Sequence, residues 1–269
     1  AALIPLLLTT GWYGKNLVLY GEFTASSWAG MNLSKIVTSR TPEEARERMI
    51  KTGALSPLAM IPPFRNPLVY LKFFPETPLT GVPLLDAPET SLNSRNHHHL
   101  VYIKASRQYL EDAVHLAAVA PSFYLRSIGQ ALYIYFHSAS DFDLIGGNRN
   151  HIKTFDLWWN RLFYGQWRSD ETSIERNTSV SAAHFGWWIA AGYAASAAGG
   201  AVYFWKNRAR LAEPSNLLAL FMAYNLLFVA LIGNTMDIGE NNRFRFVVDP
   251  FLLLLLFFLF RKPAFSGGG

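Results

Sequence analysis

A short polar stretch between two apolar runs carries the residues best suited to chemistry in this chain. Residues 239–250 contain two carboxylates and two arginines, namely Glu240, Arg243, Arg245 and Asp249. An arginine guanidinium is planar and matches phosphate or carboxylate oxygens with two parallel hydrogen bonds. The pattern therefore indicates either a phosphate-binding site at the two arginines, or interfacial anchoring with an internal ion pair to one of the carboxylates.

The apolar sequence around this stretch predicts a membrane protein. Long apolar runs lie at roughly residues 181–205, 216–235 and 246–260, and about 18 uncharged residues are needed to cross a bilayer as a helix. The first nine residues are also almost wholly apolar, and we interpret them as the last half of a transmembrane helix. Asp249 lies just inside the last run, where a carboxylate is costly and usually has a partner or a function.

The composition limits the class of protein and the chemistry it can perform. A hydrophobic fraction of 51% and a mean hydropathy of +0.12 are too apolar for a typical soluble domain and too polar for an all-membrane bundle. The aromatic fraction of 15% fits side chains that favour the bilayer interface. The chain has no cysteine, which excludes a disulfide, a thiolate zinc site and a cysteine nucleophile. The net charge of +5 includes no long basic run, so we expect no nucleic-acid partner.

We therefore predict a mainly α-helical integral membrane protein. It has three C-terminal spans, an N-terminal half-span and a large, partly irregular extracytoplasmic domain. The predicted parts are the end of a transmembrane helix at 1–10, the extracytoplasmic domain with juxtamembrane helices at 11–178, three transmembrane helices at 179–262 and a tail or linker at 263–269. A start inside a helix also predicts that the chain belongs to a longer gene product.

Basic residues at the ends of the apolar runs predict the orientation. One cluster is Lys206, Arg208 and Arg210, and the other is Arg261 with Lys262. Basic residues accumulate on the cytoplasmic side of membrane helices, so we place 206–215 and the C-terminus in the cytoplasm. Residues 11–178 and 234–245 then lie outside. The two clusters are separated by two crossings and must share a side, which is consistent with this arrangement.

Helix signals also occur in the predicted outer domain. Thr41-Pro42-Glu43-Glu44 predicts a helix capped by Thr41 and ending near Thr52, since proline and acidic residues suit the first turn. Residues 54–90 are rich in proline, and we expect them to be irregular and extended. A helix over 100–119 is predicted by a stripe that comprises Tyr102, Ala105, Tyr109, Ala113 and Leu116. An aromatic helix over 122–136 is expected to lie at the membrane surface.

Three further sequence patterns could indicate a functional site. Gly192, Ser196 and Gly200 recur every four residues and predict a helix face that packs closely on another helix. His97-His98-His99 suggests a metal, but adjacent residues point in different directions and no carboxylate-rich pattern accompanies them. We expect a polar lead-in to the helix at 100 and no metal site. The carboxylates at 141 and 143 favour loop solvation over binding of a divalent ion.

The late loop resembles a known family. Glu240, Arg243-Phe244-Arg245 and Asp249-Pro250 are similar to the late outer loop of integral-membrane glycosyltransferases of the GT-C type. The N-terminal part resembles uncharacterised bacterial members in three segments, which are Trp12-Tyr13-Gly14-Lys15-Asn16, Tyr20-Gly21-Glu22-Phe23 and the stretch from Ser26 to Leu33. Tyr124-Leu125-Arg126 and the aromatic helix after it fit the same family.

The resemblance implies a function and a lipid-linked substrate. Such enzymes transfer a sugar from a polyprenyl-phosphate donor on the outer face of the membrane, and Arg243 and Arg245 match the residues that hold the donor phosphate. Glu240 and Asp249 would then form the supporting ion pair. The family's catalytic carboxylate lies in a first outer loop that has no equivalent in this sequence. The chain is therefore expected to be the C-terminal part of such an enzyme, its catalytic residue and any divalent metal lying elsewhere in the full protein.

Two alternatives stay open from the sequence. In the first alternative, the chain is a non-catalytic subunit of a larger membrane complex. The helix face with Gly192 then packs on a helix of another subunit, and the proline-rich segment 54–90 covers the surface of a neighbouring subunit. In the other it is an outer sensor or binding domain on a membrane anchor. All of these hypotheses predict the same partners, which are the lipid bilayer and further membrane helices or subunits.

Overall fold

The computed structural model describes residues 3–138, 151–166 and 185–260. Within these ranges the chain is helical, and β-structure is limited to two isolated bridges, Glu89–Arg95 and His137–Phe185. The prediction of a mainly α-helical protein is therefore confirmed. The carboxylates at 141 and 143 and the basic pair at 261–262 lie outside the described residues.

The chain divides into two compact units, Ala1–Ser127 and Ile128–Gly269. Their boundary falls inside the segment 11–178 that the sequence analysis treats as one outer domain. Each unit has its own core of buried side chains.

Unit 1 contains six helices among its described residues and the start of a seventh. They are α1 (Leu3–Tyr20), α2 (Ala29–Ile36), α3 (Glu43–Lys51), α4 (Pro67–Leu71), α5 (Pro83–Asp86), α6 (Val101–Val119) and α7 (Pro121–Tyr135), with single 3₁₀ turns at Thr38–Arg40 and Pro57–Met60. The helices predicted over 100–119 and 122–136 correspond to α6 and α7, within one residue at each end.

Prolines begin short helices in the segment expected to be extended. Pro57, Pro67 and Pro83 each stand at the first position of a helical turn, where the missing N–H would have no helical partner anyway. Asn66 caps one of these turns, since its side chain accepts a hydrogen bond from the Leu68 amide at 2.9 Å. The expectation of an extended 54–90 segment is therefore wrong in these three places.

The start of α3 also differs from the prediction. Pro42 is the capping residue, and it makes no side-chain capping bond. The Thr41 hydroxyl donates instead to the carbonyl oxygen of Val37 at 3.0 Å. Thr41 therefore stabilises the end of the preceding segment, and its assignment as the helix cap is wrong.

The core of unit 1 forms where α2 packs against α6. A Cβ atom on Gly30 would lie only 1.8 Å from the Ser106 carbonyl oxygen, so only glycine permits this approach. The buried core residues are Met31, Leu58, Tyr70, Val101, Tyr102, Ala105 and Tyr109. The five residues of the α6 stripe are all buried, which confirms the predicted face.

Unit 2 contains five further helices in its described residues. They are α8 (Lys153–Trp159), which continues as a π-helical turn over Asn160–Tyr164, α9 (Trp187–Lys206), α10 (Pro214–Met236), α11 (Asn241–Phe246) and α12 (Asp249–Phe260). Their shared core consists of Ala219, Met222, Leu226, Val248, Leu252 and Leu255. This core joins α10 to α12.

One helix of the described residues is long and apolar enough to cross a membrane. It is α10, with 23 residues and a mean hydropathy of 2.0 over its best window. α12 is apolar but has 12 residues, which span about 18 Å against the roughly 30 Å of a bilayer core. The glycines, tyrosines and tryptophans of α9 lower its hydropathy. The prediction of three spans is therefore not confirmed by helix length and composition.

The N-terminal helix continues further than the apolar sequence. The prediction ends it near residue 10, but α1 runs to Tyr20. None of its 18 residues is buried, and Leu3, Leu8 and Val18 are among its most exposed side chains. The polar residues Lys15 and Asn16 interrupt the apolar pattern without ending the helix.

Candidate functional site

The four charged residues singled out from the sequence lie in one loop of unit 2. We call residues 237–249, between α10 and α12, the arginine loop. It turns at Gly239, whose φ of +123° is accessible to glycine and strained for other residues. The short helix α11 follows at once and carries both arginines.

Two asparagines that the sequence analysis did not select hold this loop in place. Asn241 is fully buried, and its side-chain amide donates to Asn234 Oδ1 and to the Asp237 carbonyl, both at 3.0 Å. Its own side-chain oxygen accepts from the Gly239 amide at 3.0 Å. Asn242 is also fully buried and donates to the Ser138 carbonyl at 2.8 Å. Buried amides satisfied in this way fix a loop firmly, because breaking them leaves unpaired polar groups.

Arg245 is the most deeply buried charged residue among those described. Its side chain is 0% exposed, and its Nε donates to Asp249 Oδ1 at 3.0 Å and to Oδ2 at 3.3 Å. Nη1 donates to the Tyr135 carbonyl at 2.8 Å, and the guanidinium carbon lies 5.3 Å from the centre of the Tyr164 ring. Nη2 is buried with no acceptor among the described residues. This geometry makes Arg245 an internal support of the loop.

Arg243 has a different environment two positions away. Its guanidinium forms a salt bridge with Glu240, and the two side chains are 49% and 38% exposed. Exposed pairs contribute little to stability because water and salt screen them. Arg243 is therefore the more exposed of the two arginines, whereas Arg245 is covered by protein. Among the described residues, Arg243 pairs with Glu240 and Arg245 pairs with Asp249.

The three small residues of the predicted packing face lie on α9. A Cβ atom on Gly192 would be in ordinary contact with Leu252 of α12 at 3.5 Å. Ser196 is buried, while the nearest neighbour of Gly200 is Phe204 of the same helix. The part of this face around Gly192 therefore packs within unit 2.

The three adjacent histidines lie in unit 1 beside a cavity of about 470 Å³. His98 is exposed, whereas His99 is buried and its Nδ1 accepts from the Val101 amide at 3.0 Å. Within the ranges that the structure describes, no group of three histidines and carboxylates could hold a metal ion. His99 thus serves as a lead-in to α6.

Comparisons with models of protein families, with curated proteins and with solved structures found no significant match to this chain.

Proposed function

We propose that the chain is the C-terminal part of a membrane glycosyltransferase that uses a polyprenyl-phosphate-linked sugar. The observation that carries the proposal is the accessible Arg243 on a loop fixed by the buried Arg245–Asp249 pair. This loop directly follows α10, the helix long enough to cross a bilayer. A cation at such a place suits the phosphate of a lipid whose chain lies in the membrane.

The two arginines have separate roles in this proposal. Arg243 contacts the donor phosphate and exchanges its bond to Glu240 for bonds to phosphate oxygens. Arg245 is a positioning residue, because Asp249 and the Tyr135 carbonyl hold it and it in turn fixes α11. No catalytic carboxylate is assigned within this chain.

The membrane arrangement is part of the same proposal. Large side chains along α10 are about half exposed, as expected for a helix facing lipid; they are Leu217, Phe221, Leu227, Phe228 and Leu231. We place α9 and α12 beside it as further spans, with α12 lengthened by its flanks. The basic residues at 206–210 lie in the cytoplasm, and the arginine loop lies outside with the predicted outer region.

The orientation can be measured directly because the chain has no cysteine. Single cysteines at Asn207 and Glu240 are introduced, and oriented membrane vesicles are treated with a membrane-impermeant maleimide. We expect labelling of the Glu240→Cys variant from outside and of the Asn207→Cys variant only after permeabilisation. The opposite pattern, or labelling of both from one side, would contradict the arrangement.

The function is tested by binding of polyprenyl phosphate to the protein in lipid nanodiscs, with the unphosphorylated polyprenol as reference. Arg243→Gln is expected to weaken phosphate-lipid binding by about tenfold, because a charge-assisted hydrogen bond is lost. Arg210→Gln is a matched control, since Arg210 also forms an exposed pair with a glutamate three residues away. Equal affinity for the two lipids, or equal effects of the two variants, would contradict the proposed donor site.

The alternative of a non-catalytic subunit has one structural consequence. Its proposed contact surface included Gly192, which here packs against α12. Stoichiometric co-purification with other subunits, together with unchanged sugar transfer in the Arg243→Gln variant, would favour that alternative.

A further inference from the structure

Unit 1 contains a cavity that the proposed donor site does not use. It is formed by the second half of α1, the loop over residues 22–28 and the start of α6 with the residues before it. Its volume of about 470 Å³ lies in the range of small-molecule sites, roughly 300–1,000 Å³. We call it the aromatic cavity.

Flat ring surfaces form part of the cavity wall. The Trp28 ring lies 5.7 Å from the His97 ring, and His97 stacks on Tyr102 at 5.9 Å with an interplanar angle of 16°. An edge-on contact with Phe64 at 5.4 Å fixes Trp28. Trp12, on α1, is 54% exposed. Such rings offer apolar faces on which the C–H face of a sugar ring packs.

Neutral polar side chains line the same cavity, and some of their donors and acceptors have no bond within the described protein. The Ser26 hydroxyl accepts from the Trp28 amide at 3.2 Å, which leaves its own O–H to donate. Asn16 donates to the Thr24 carbonyl at 2.7 Å, which leaves its side-chain oxygen as an acceptor. Ser27 and Tyr20 line the cavity as well. Several neutral donors and acceptors beside aromatic rings suit a polyhydroxylated ligand.

His97 supplies an imidazole ring to the cavity lining. Burial lowers the pKa of His97, with nearby Arg95 and His98 acting in the same direction, so its ring is neutral at neutral pH. Its Nδ1 is buried without a partner among the residues that the structure describes. The ring proton is therefore better placed on Nε2, because a buried N–H without an acceptor costs more than a buried lone pair. Nε2 can then donate to a ligand.

The charges around the cavity favour a single negative group on the ligand. Lys15 lies 3.6 Å above the Trp12 ring and forms no salt bridge with any described carboxylate. Glu22 is neutralised by Arg107, whose Nε donates to it at 2.9 Å. A phosphate-dominated or nucleic-acid ligand would need several converging cations, and the cavity lining supplies one unpaired cation in the described residues.

We propose that the aromatic cavity binds an acidic saccharide of mono- or disaccharide size. The sugar ring packs on Trp12 and Trp28, and its hydroxyls bond to Ser26, Ser27 and Asn16. Its carboxylate or phosphate group pairs with Lys15. The proposal rests on unit 1 alone and does not depend on the donor site proposed for unit 2.

The test is saturation-transfer NMR and calorimetry on the whole chain in nanodiscs with four probes. The probes are glucuronate, glucose 6-phosphate, glucose and inorganic phosphate. We expect saturable binding of at least one acidic sugar with a Kd of about 1 mM or lower, and about tenfold weaker binding of glucose. The two acidic probes distinguish a carboxylate from a phosphate ligand. Binding of glucose as tight as that of the acidic sugars, binding of inorganic phosphate as tight as that of glucose 6-phosphate, or no saturable binding would overturn the proposal.

Two variants at exposed positions connect binding to the cavity without affecting the core. Lys15→Gln is expected to weaken the acidic sugar about tenfold and to leave glucose unchanged, whereas Lys51→Gln on α3 serves as the matched control. Trp12→Ala is expected to weaken both sugars about tenfold, with the exposed Trp158→Ala as its control. Unchanged affinity in both cavity variants would overturn the assignment to this cavity. Binding of polyprenyl phosphate is measured in a separate experiment. A failure of the saccharide proposal can therefore be distinguished from a failure of the donor-site proposal.

Discussion

The core of unit 1 contains three buried tyrosines, whereas the core of unit 2 contains none. Unit 1 encloses tyrosines whose hydroxyls bond to main-chain carbonyls, as Tyr102 does to Arg65 at 2.6 Å and Tyr109 does to Ile61 at 2.9 Å. In unit 2, α10 buries few residues and exposes large apolar side chains along most of its length. The core of unit 1 therefore pairs its buried hydroxyls as a water-soluble domain does, whereas α10, like α1 of unit 1, exposes an apolar surface along most of its length.

Asp249→Ala is expected to have the largest effect on this comparison. It leaves the fully buried Arg245 without its carboxylate, which costs about 3–5 kcal/mol of stability. Unfolding of the purified protein in detergent, followed by circular dichroism, measures the loss. Glu240→Ala breaks the exposed pair and is expected to cost less than about 1 kcal/mol. Similar losses in the two variants would contradict the distinction between an internal and an accessible arginine.

Leu227→Lys tests whether the exposed face of α10 meets lipid. A lysine near the centre of a membrane helix costs about 3 kcal/mol relative to leucine. Val114→Lys is its counterpart on α6, at a position 54% exposed, and is expected to change stability by less than about 0.5 kcal/mol. The measurement is the fraction of each variant that inserts into membranes. Equal insertion of Leu227→Lys and the unmodified chain would argue against a lipid-facing α10.

Gly30→Ala tests the close helix contact of unit 1. The added methyl group would meet the Ser106 carbonyl, so α2 and α6 must separate at a cost of about 2–3 kcal/mol. Hydrogen exchange of the α6 amides reports this loss within unit 1. Gly129→Ala, on α7, adds a methyl group that meets no described atom within 4 Å and is expected to raise stability by about 0.5–1 kcal/mol. A neutral Gly30→Ala would show that the two helices do not approach so closely.

Tyr102→Phe is expected to lower the stability of unit 1 by a smaller amount and to change how that stability depends on pH. Loss of its hydrogen bond leaves the Arg65 carbonyl unpaired and costs about 1–2 kcal/mol. Burial raises the pKa of Tyr102 to about 12 from its ordinary value of 10. The unfolded chain therefore ionises first, so stability that is fully present below pH 10 falls as the pH rises towards 12.

The pH dependence provides its own control. Tyr102→Phe should reduce the fall in stability between pH 10 and 12, measured by thermal unfolding of unit 1 signals in the whole chain. Burial also raises the pKa of Tyr70 and of Tyr109, so part of the fall remains. Tyr20→Phe, at a tyrosine that is 39% exposed, serves as the matched variant. An unchanged slope in Tyr102→Phe would mean that this hydroxyl is not buried in solution.

Helices that depend on local periodicity could be predicted from the sequence. Features that depend on contacts between distant residues mostly could not. The α6 stripe was found because its apolar residues recur at helical spacing. The prediction ends α1 near residue 10 because Thr9 and Thr10 end the apolar run, although they do not break the helix. The short helices after Pro57, Pro67 and Pro83 were missed because proline marks both helix starts and irregular segments.

The same limit applies to the candidate sites. The pattern of arginines and carboxylates in the arginine loop is visible in the sequence, but which arginine is buried depends on contacts such as that of Arg245 with Tyr135, 110 residues away. Asn241 was missed because an asparagine that organises a loop has the same local sequence signal as a solvated one. The aromatic cavity joins α1 to the residues before α6, so no single segment reveals it.

The most direct test of the accessible-arginine account is the affinity of the Glu240→Gln variant for polyprenyl phosphate in nanodiscs. Glu240 competes with phosphate for Arg243, so its neutralisation is expected to tighten binding by several-fold, whereas Glu213→Gln in the matched pair with Arg210 should have no effect. Unchanged or weaker binding by Glu240→Gln would contradict the claim that Arg243 is the phosphate-binding residue of the arginine loop.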